Sequence, residues 1–305
     1  MGKNSAKGYS KRWPVNKSAS KVITDASGGQ KNTRSFDSAW IERLLMLHHR
    51  VRDAVTEPER EGIGSLNAKG DDVKQFDLTA NNAALSLFGE LQVPVVIDSE
   101  ESKRQIIGPS PPQHRLVLDP VDGSDNWSRG LPLSALSCAV LPVDAPLHPD
   151  WVEAALVGSL DEVLPLMALK GCGAWRGKHQ VETSNLCNIT AAMISVELNH
   201  HSPSPGLARL MATAKGVRSY GCASRALALV AEGATDAHVD VRGRLTAESY
   251  LAGARMVIEA GGWVAGLDGA SLAAPENLTD RVSLVAASSR ELCEEIVNVL
   301  SHGKD

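Results

Sequence analysis

Leu116-Val117-Leu118-Asp119-Pro120-Val121-Asp122-Gly123-Ser124-Asp125-Asn126-Trp127 decides how the rest of the chain is read. An apolar run, predicted as a strand over 116–118, delivers Asp119 and Asp122, which Pro120 and Val121 hold apart. Two carboxylates this close repel each other unless a cation sits between them. The Gly123-Ser124 step is a tight turn that can open a short helix, and free amides at a helix start face an anion. Carboxylates for a metal beside amides for a phosphate is the layout of a metal-dependent phosphate enzyme.

Upstream, the apolar run 93–97 also leads into acid, at Glu100 and Glu101. Alone, that pair is an ordinary solvated turn, and Asp119 to Gly123 alone is an ordinary Asp-Pro turn. Together they favour convergence. If the two strands are neighbours, three or four carboxylates meet at one sheet edge, and such hard oxygen ligands suit Mg²⁺ or Mn²⁺ rather than zinc. Asp77 starts a predicted helix. It either caps that helix or, beside a hydroxyl such as Ser124, forms a proton-relay pair for activating water.

At 305 residues the chain is long enough for one large domain or two lobes with ample cores. A formal net charge of -5 argues against a nucleic-acid or membrane surface as the main partner. No apolar run is long enough to span a membrane. Cys138, Cys172, Cys187, Cys222 and Cys293 form no C-x-x-C pair. An odd number of scattered thiols fits a reduced, cytoplasmic protein and speaks against zinc. Residues 1–36, rich in Lys, Ser, Gly and Asn, read as a disordered basic tail without the apolar segment of a secretory signal.

Order is expected from Asp37-Ser38, an N-cap for a helix with Trp40, Ile41, Leu44, Leu45, Leu47 and Val51 at helical spacing. His48 and His49 point about 100° apart on it and read as surface or packing residues, not as a chelating pair. A turn-rich stretch, 61–70, precedes a second helix with Leu78, Leu85 and Phe88 on its apolar side, and 108–114 is a Pro-rich loop. Strands are predicted at 135–143, 154–159, 163–169, 237–241 and 282–287, and helices at 207–214, 225–232, 251–260 and 291–300. Strands alternating with helices imply layered α/β (α+β) structure. The expected division is the tail 1–36, an N-terminal α+β lobe with the metal site over 37–145, and a C-terminal α/β lobe completing the substrate pocket over 146–305.

The run D-P-V-D-G-S-D-N resembles the D-P-[IL]-D-G-[ST]-x-N signature of the inositol monophosphatase family. That family lies in the Mg²⁺-dependent, lithium-sensitive phosphatase superfamily, which also holds the fructose-1,6-bisphosphatases. Further segments match in family order. Lys69-Gly70 with Val73-Lys74-Gln75-Phe76-Asp77 looks like K-G…V-T-x-x-D, and Ser99-Glu100-Glu101-Ser102 like G-E-E-S. Gly171 to Gly177 looks like the G-x-G-A-x-x-N-G hairpin, Gly221-Cys222-Ala223-Ser224 like the segment lining the substrate pocket, and Glu259-Ala260-Gly261-Gly262 like E-A-G-G. The resemblance implies a layered αβαβα sandwich, two or three Mg²⁺ ions with Mn²⁺ as a substitute, and in-line attack of water on a phosphate monoester. It implies that Glu100 and Asp119 hold one metal with the Val121 carbonyl, and that Asp119 and Asp122 hold the second. Gly123 and Ser124 would donate amides to the phosphate. Asp77 and the Ser124 hydroxyl would orient the attacking water, with Glu101 among the catalytic acids and Ser224 against the substrate.

Two positions depart from the family. An acid that completes the second metal site falls on Ser249, preceded by Glu248. A hydroxyl is a poorer Mg²⁺ ligand than a carboxylate. Glu248 replaces the missing acid, or the site works with weaker affinity, or the reaction is lost and the pocket kept; Ser249 could also simply N-cap a helix from Leu251. Seven positions earlier, where inositol-selective members carry Glu, stands Arg242, which resembles the archaeal-type members that also accept fructose 1,6-bisphosphate. Arginine pairs bidentately with phosphate or carboxylate, so Arg242 is either a contact for a second anionic group or an exposed loop residue. Arg225 is either a further anion contact or plain surface. The resulting expectation is a cytoplasmic, homodimeric, Mg²⁺-dependent phosphomonoesterase of a small polyol or sugar phosphate, with neither nucleic acid nor membrane as partner. A catalytically impaired relative that binds a phosphorylated ligand or partner, and a nucleotide bisphosphate phosphatase, stand as alternatives.

Overall fold

The computed structural model describes residues 39–55 and 74–301. The tail 1–36, the cap at Asp37-Ser38 and the Lys69, Gly70 and Val73 positions of the sequence motif lie outside the described residues. Two helices come first, α1 (Ala39–Ala54) and α2 (Gln75–Leu91). α1 buries Trp40, Ile41, Leu44, Leu47 and Val51 along one stripe. His48 is in that stripe, fully buried, with Nε2 2.9 Å from the Ser159 carbonyl oxygen, while His49 is exposed. α2 buries Phe76, Ala80, Ala84, Leu87 and Phe88, and Leu78 and Leu85 are only half-buried. Two alanines mark this face, and their weak hydrophobic signal explains why large residues alone misplace it.

The first sheet holds β1 (Val95–Ser99), β2 (Ser102–Ile107), β3 (His114–Asp122), β4 (Ala135–Pro142), β5 (Ala154–Ser159), β6 (Leu166–Leu169), β7 (Gly173–Arg176) and β8 (His179–Val181), in the order β2-β1-β3-β4-β5-β6-β7-β8. Its neighbours are antiparallel except β1 and β3, which run parallel with Ser99 opposite Leu118. Residue 145 therefore falls inside this sheet, between β4 and β5. The short helix α3 (Ser124–Ser128) follows β3. The second sheet holds β9 (Met193–Val196), β10 (Gly216–Arg218), β11 (Ala237–Leu245), β12 (Trp263–Ala265) and β13 (Val282–Ala287), in the order β10-β9-β11-β13-β12. The remaining helices are α4 (Pro205–Thr213), α5 (Ala223–Ala231), α6 (Ala247–Glu259) and α7 (Arg290–Ser301).

Three apolar clusters set the layers. Leu44 and Phe88 pack with Leu116, Leu118 and Leu156, joining α1 and α2 to one face of the first sheet. Val117 and Val157 pack with Leu227, Tyr250, Met256 and Leu284, filling the space between the sheets around α5 and α6. Ile194 and Val239 pack with Leu210 and Ile296, seating α4 and α7 on the far face of the second sheet. The order of layers is the expected αβαβα. β3 alternates between two cores, Leu116 and Leu118 on one side and Val117 on the other. A strand covered on both faces reads as continuous apolar sequence.

α6 starts at Ala247 behind Thr246, so Ser249 lies inside its first turn and is not its N-cap. At the other end of α6, the Glu259 carboxylate accepts from the amides of Gly171 (2.7 Å) and Gly173 (2.8 Å), which fixes the β6–β7 turn. The E-A-G-G glutamate and the G-x-G hairpin are thus two halves of one contact.

Candidate active site

The parallel pairing of β1 with β3 brings their acidic ends together. The Glu100 amide donates to the Leu118 carbonyl at 3.2 Å, so the first acid after β1 stands beside the end of β3. There the pairing with β4 slips, Asp119 facing Ser137 and Asp122 facing Ala135. Pro120, which has no amide proton to give, sits inside this bulge, and bulges re-aim side chains. Asp119 is 3% exposed, and its Oδ1 accepts from the Val121 amide at 3.1 Å. Glu101 sits half-buried in the β1–β2 turn with its amide on Ser99 Oγ at 3.3 Å.

Gly123 follows with φ +82°, where a Cβ would come 3.0 Å from Cys222 Cβ and 3.1 Å from the Leu133 carbonyl. Both the left-handed backbone and the close approach require glycine. Asn126 Nδ2 donates to the carbonyls of Leu133 (3.1 Å) and Tyr220 (2.6 Å), tying α3 to the segment before α5. Ser124 Oγ lies 2.8 Å from Asp77 Oδ1 and 3.0 Å from the Val121 carbonyl oxygen, and its one proton serves either. Asp77 is not the N-cap. It stands three residues after Lys74 and reaches back, its Oδ2 accepting the Lys74 amide at 3.1 Å. Burial pushes the Asp77 acid up to about 6, against the bonds from Ser124 and Lys74 and the Lys74 charge; the charge of Glu100 adds to the rise.

Asp122 bridges layers. Its Oδ2 accepts from the Ser224 amide at 2.7 Å and from Cys222 Sγ at 3.2 Å. Burial, with the charge of Asp122, pushes the Cys222 thiol well up, so it stays a protonated donor. Ser224 is fully buried; its amide, not its hydroxyl, is what reaches Asp122.

Asp122 and Asp125 line a cavity of about 290 Å³ together with Glu197, Arg242, Arg244, Ser249 and Arg281. Glu100, Glu101, Asp119 and Glu248 are not among the lining residues. Glu248 is buried, and its main-chain carbonyl accepts from Ser137 Oγ at 2.8 Å. Among the described residues no three acidic, histidine or cysteine side chains form a ready-made ion cage. The chemistry of the donors does fit a hard cation. Glu100, Asp119, Asp122 and the Val121 carbonyl offer oxygen only, which suits Mg²⁺ or Mn²⁺ and not zinc.

Arg242 is no exposed loop residue. It lies in β11 with a 12% exposed side chain, and Asp240 accepts from its Nε (3.0 Å) and Nη2 (2.6 Å). Arg225 neither lines the cavity nor lies on open surface. It is 12% exposed and pairs with Glu162 (3.0 Å) and Glu232 (3.8 Å). Glu197 is a residue that sequence reasoning missed. It accepts from the amides of Leu198, Asn199 and Gly221 at 3.0, 3.2 and 3.1 Å and so shapes one cavity wall. Its signal was present, since Met193-Ile194-Ser195-Val196-Glu197 repeats the pattern of an apolar strand ending in acid. Arg244 and Arg281 come from β11 and the approach to β13, and their meeting has no signature in spacing.

The chain is similar to known proteins. The fructose-1,6-bisphosphatase of Pyrococcus furiosus is 28% identical over 249 residues, 80% of this chain and 89% of its own length. The fructose-1,6-bisphosphatase/inositol-1-monophosphatase of Methanocaldococcus jannaschii is 29% identical over 242 residues, 79% and 90% of the two chains. A solved inositol monophosphatase–fructose 1,6-bisphosphatase superposes with a TM-score of 0.72 at 25% identity, over 86% of this chain and 99% of that one. The sequence profile of the inositol monophosphatase family matches residues 47–303, and the chain belongs to that family.

Proposed function

We propose that the protein is a Mg²⁺-dependent phosphomonoesterase acting on a small polyol or sugar phosphate. The observation that carries this reading is the Ser124–Asp77 pair, 2.8 Å apart, next to the Gly123 turn and the acidic ends of β1 and β3. Glu100, Asp119 and the Val121 carbonyl would hold one divalent ion, and Asp119 and Asp122 a second. When bound, such ions polarise the phosphoryl group and neutralise charge on the leaving oxygen. Ser124 Oγ, donating to Asp77 Oδ1, keeps a lone pair to accept a proton from the attacking water, and burial keeps Asp77 basic enough to draw it. The amides of Gly123 and Ser124 donate to the phosphate oxygens.

Arg242, Arg244 and Arg281 on the wall of the cavity that Asp122 enters support a substrate with a second anionic group. That favours a sugar bisphosphate over a simple inositol phosphate; the Pyrococcus furiosus relative is named for the bisphosphate alone, and the Methanocaldococcus jannaschii relative for both. Ser249 lines the same cavity, and a hydroxyl in place of a carboxylate would hold the second ion weakly. A homodimer in the cytoplasm completes the reading; among the described residues no helix is long and apolar enough to cross a membrane.

The test is a Mg²⁺ titration of rates on inositol 1-phosphate, fructose 1,6-bisphosphate and an adenosine bisphosphate, for the wild type and Ser249→Asp. Turnover is expected to be fastest on fructose 1,6-bisphosphate, and Ser249→Asp to lower the Mg²⁺ needed for half-maximal rate. No turnover of any ester at high Mg²⁺, in either protein, overturns the proposal. Turnover only in Ser249→Asp supports the second reading, a family member that keeps the pocket and has lost the reaction.

A further inference from the structure

We infer that Lys74 is a phosphate-binding residue of this site, held by Asp125 until a phosphate group takes that partner's place. The inference rests on the phosphate-ester reading of the site and assigns it a protein cation. Lysine is rarely buried, because stripping water from an ammonium is costly unless a partner compensates. Yet the Lys74 side chain is only 8% exposed. Its Nζ donates to Asp125 Oδ1 at 2.7 Å, and the Asp125 side chain is 83% exposed. A carboxylate that keeps most of its water holds a partner weakly. The pair is therefore lopsided, with a fixed cation and a replaceable anion.

Its position gives the pair a use. The Lys74 amide bonds one oxygen of Asp77, and the other oxygen of Asp77 bonds Ser124. Asp125 is the next residue, and it both lines the cavity with Asp122 and accepts from the Lys74 ammonium. The ammonium is thus one ion pair away from the residue that follows the Gly123-Ser124 turn, and its partner there is an exposed carboxylate. A phosphate monoester entering the cavity meets Asp122, Asp125 and Glu197, three groups that repel it. A phosphate group offers more charge and more acceptor oxygens than a carboxylate, and lysine is a common point-charge partner for it. Exchange of Asp125 for a phosphate oxygen removes one repulsion and keeps the cation paired. Asp125 returns to solvent that already surrounds it.

Inorganic phosphate is the probe, titrated calorimetrically into the Mg²⁺-loaded full chain, with thermal midpoints recorded for each variant. Lys74→Met should weaken phosphate binding about tenfold or more, the loss of one charge-assisted bond. Asp125→Asn should tighten binding several-fold, because the resident competitor is gone. A purely structural ion pair predicts a gain of the same size with or without Lys74, from relief of repulsion alone. Asp125→Asn is therefore repeated in the Lys74→Met background, and in Lys74→Gln where Lys74→Met fails to fold. An equal gain in both backgrounds, or no gain in Asp125→Asn, overturns the inference. The readout is separable from turnover. A wild type that hydrolyses nothing yet shows these opposite shifts sinks the hydrolase reading and leaves Lys74 in place; unchanged affinity in both variants of an active enzyme does the reverse.

Discussion

Replacing Gly158 with alanine tests the seam between α1 and the first sheet. The added Cβ would sit 2.2 Å from His48 Cδ2 and 2.6 Å from its Nε2, inside any permissible contact. His48 is fully buried, so its ring has no open space to move into, and moving it breaks the 2.9 Å bond to the Ser159 carbonyl. Overpacking costs about 1–3 kcal/mol, and separating two buried polar groups costs about 1–3 kcal/mol more. Alanine returns about 0.4–1 kcal/mol by restricting the unfolded chain. The net loss is about 2–5 kcal/mol, a large share of the roughly 5–15 kcal/mol that holds a domain together. Urea denaturation of a double-mutant cycle with His48→Ala isolates the cause. In the His48→Ala background the ring is gone, and Gly158→Ala should be neutral or stabilising by about 0.4–1 kcal/mol. Equal destabilisation in both backgrounds would falsify the ring-on-glycine account.

Three further outcomes are expected. Asp119→Asn keeps the shape and the Val121 contact but removes the charge, so it should abolish turnover while leaving the thermal midpoint near that of wild type; substantial residual activity counts against Asp119 as a metal ligand. His48 and His238 are buried, and burial lowers both below the ordinary value of 6.5, so the unfolded chain takes up these protons first. Their contribution is complete above about pH 6.5 and shrinks as the pH falls toward the folded-state values. Thermal midpoints taken downward from neutrality should drop, and less steeply in His238→Gln; a flat profile refutes this. Glu259→Ala removes two charge-assisted bonds from the Gly171 and Gly173 amides, at a cost of about 3 kcal/mol. Hydrogen exchange at those amides should quicken while α1 stays protected, and unchanged protection there contradicts the clamp.

What the sequence disclosed depended on how far each residue acts from its own segment. Strand ends marked by acids, the Gly123 turn and helices such as α5 are local features, and local periodicity finds them. The expected strand 282–287 coincides with β13, because six apolar and small residues fall between clear breaks. β7 to β10 and β12 run to only three or four residues, too few for a period to register. Side-chain partners were harder still. Arg225 looks like surface in a helix until Glu162 and Glu232 arrive from elsewhere, and Arg242 looks like a loop residue until β11 extends to Leu245. Lys74 has no signature in the sequence, since its partner Asp125 lies 51 residues further along.

The reach of Asp122 across to α5 has a consequence for synthesis. The partners of its carboxylate, Cys222 and Ser224, lie 100 and 102 residues further along. A nascent chain leaving the ribosome completes β3 long before either partner exists, and until then this carboxylate is not aimed. If Asp122 holds an ion as proposed, the growing polypeptide gains that ligand in its final setting only when α5 docks.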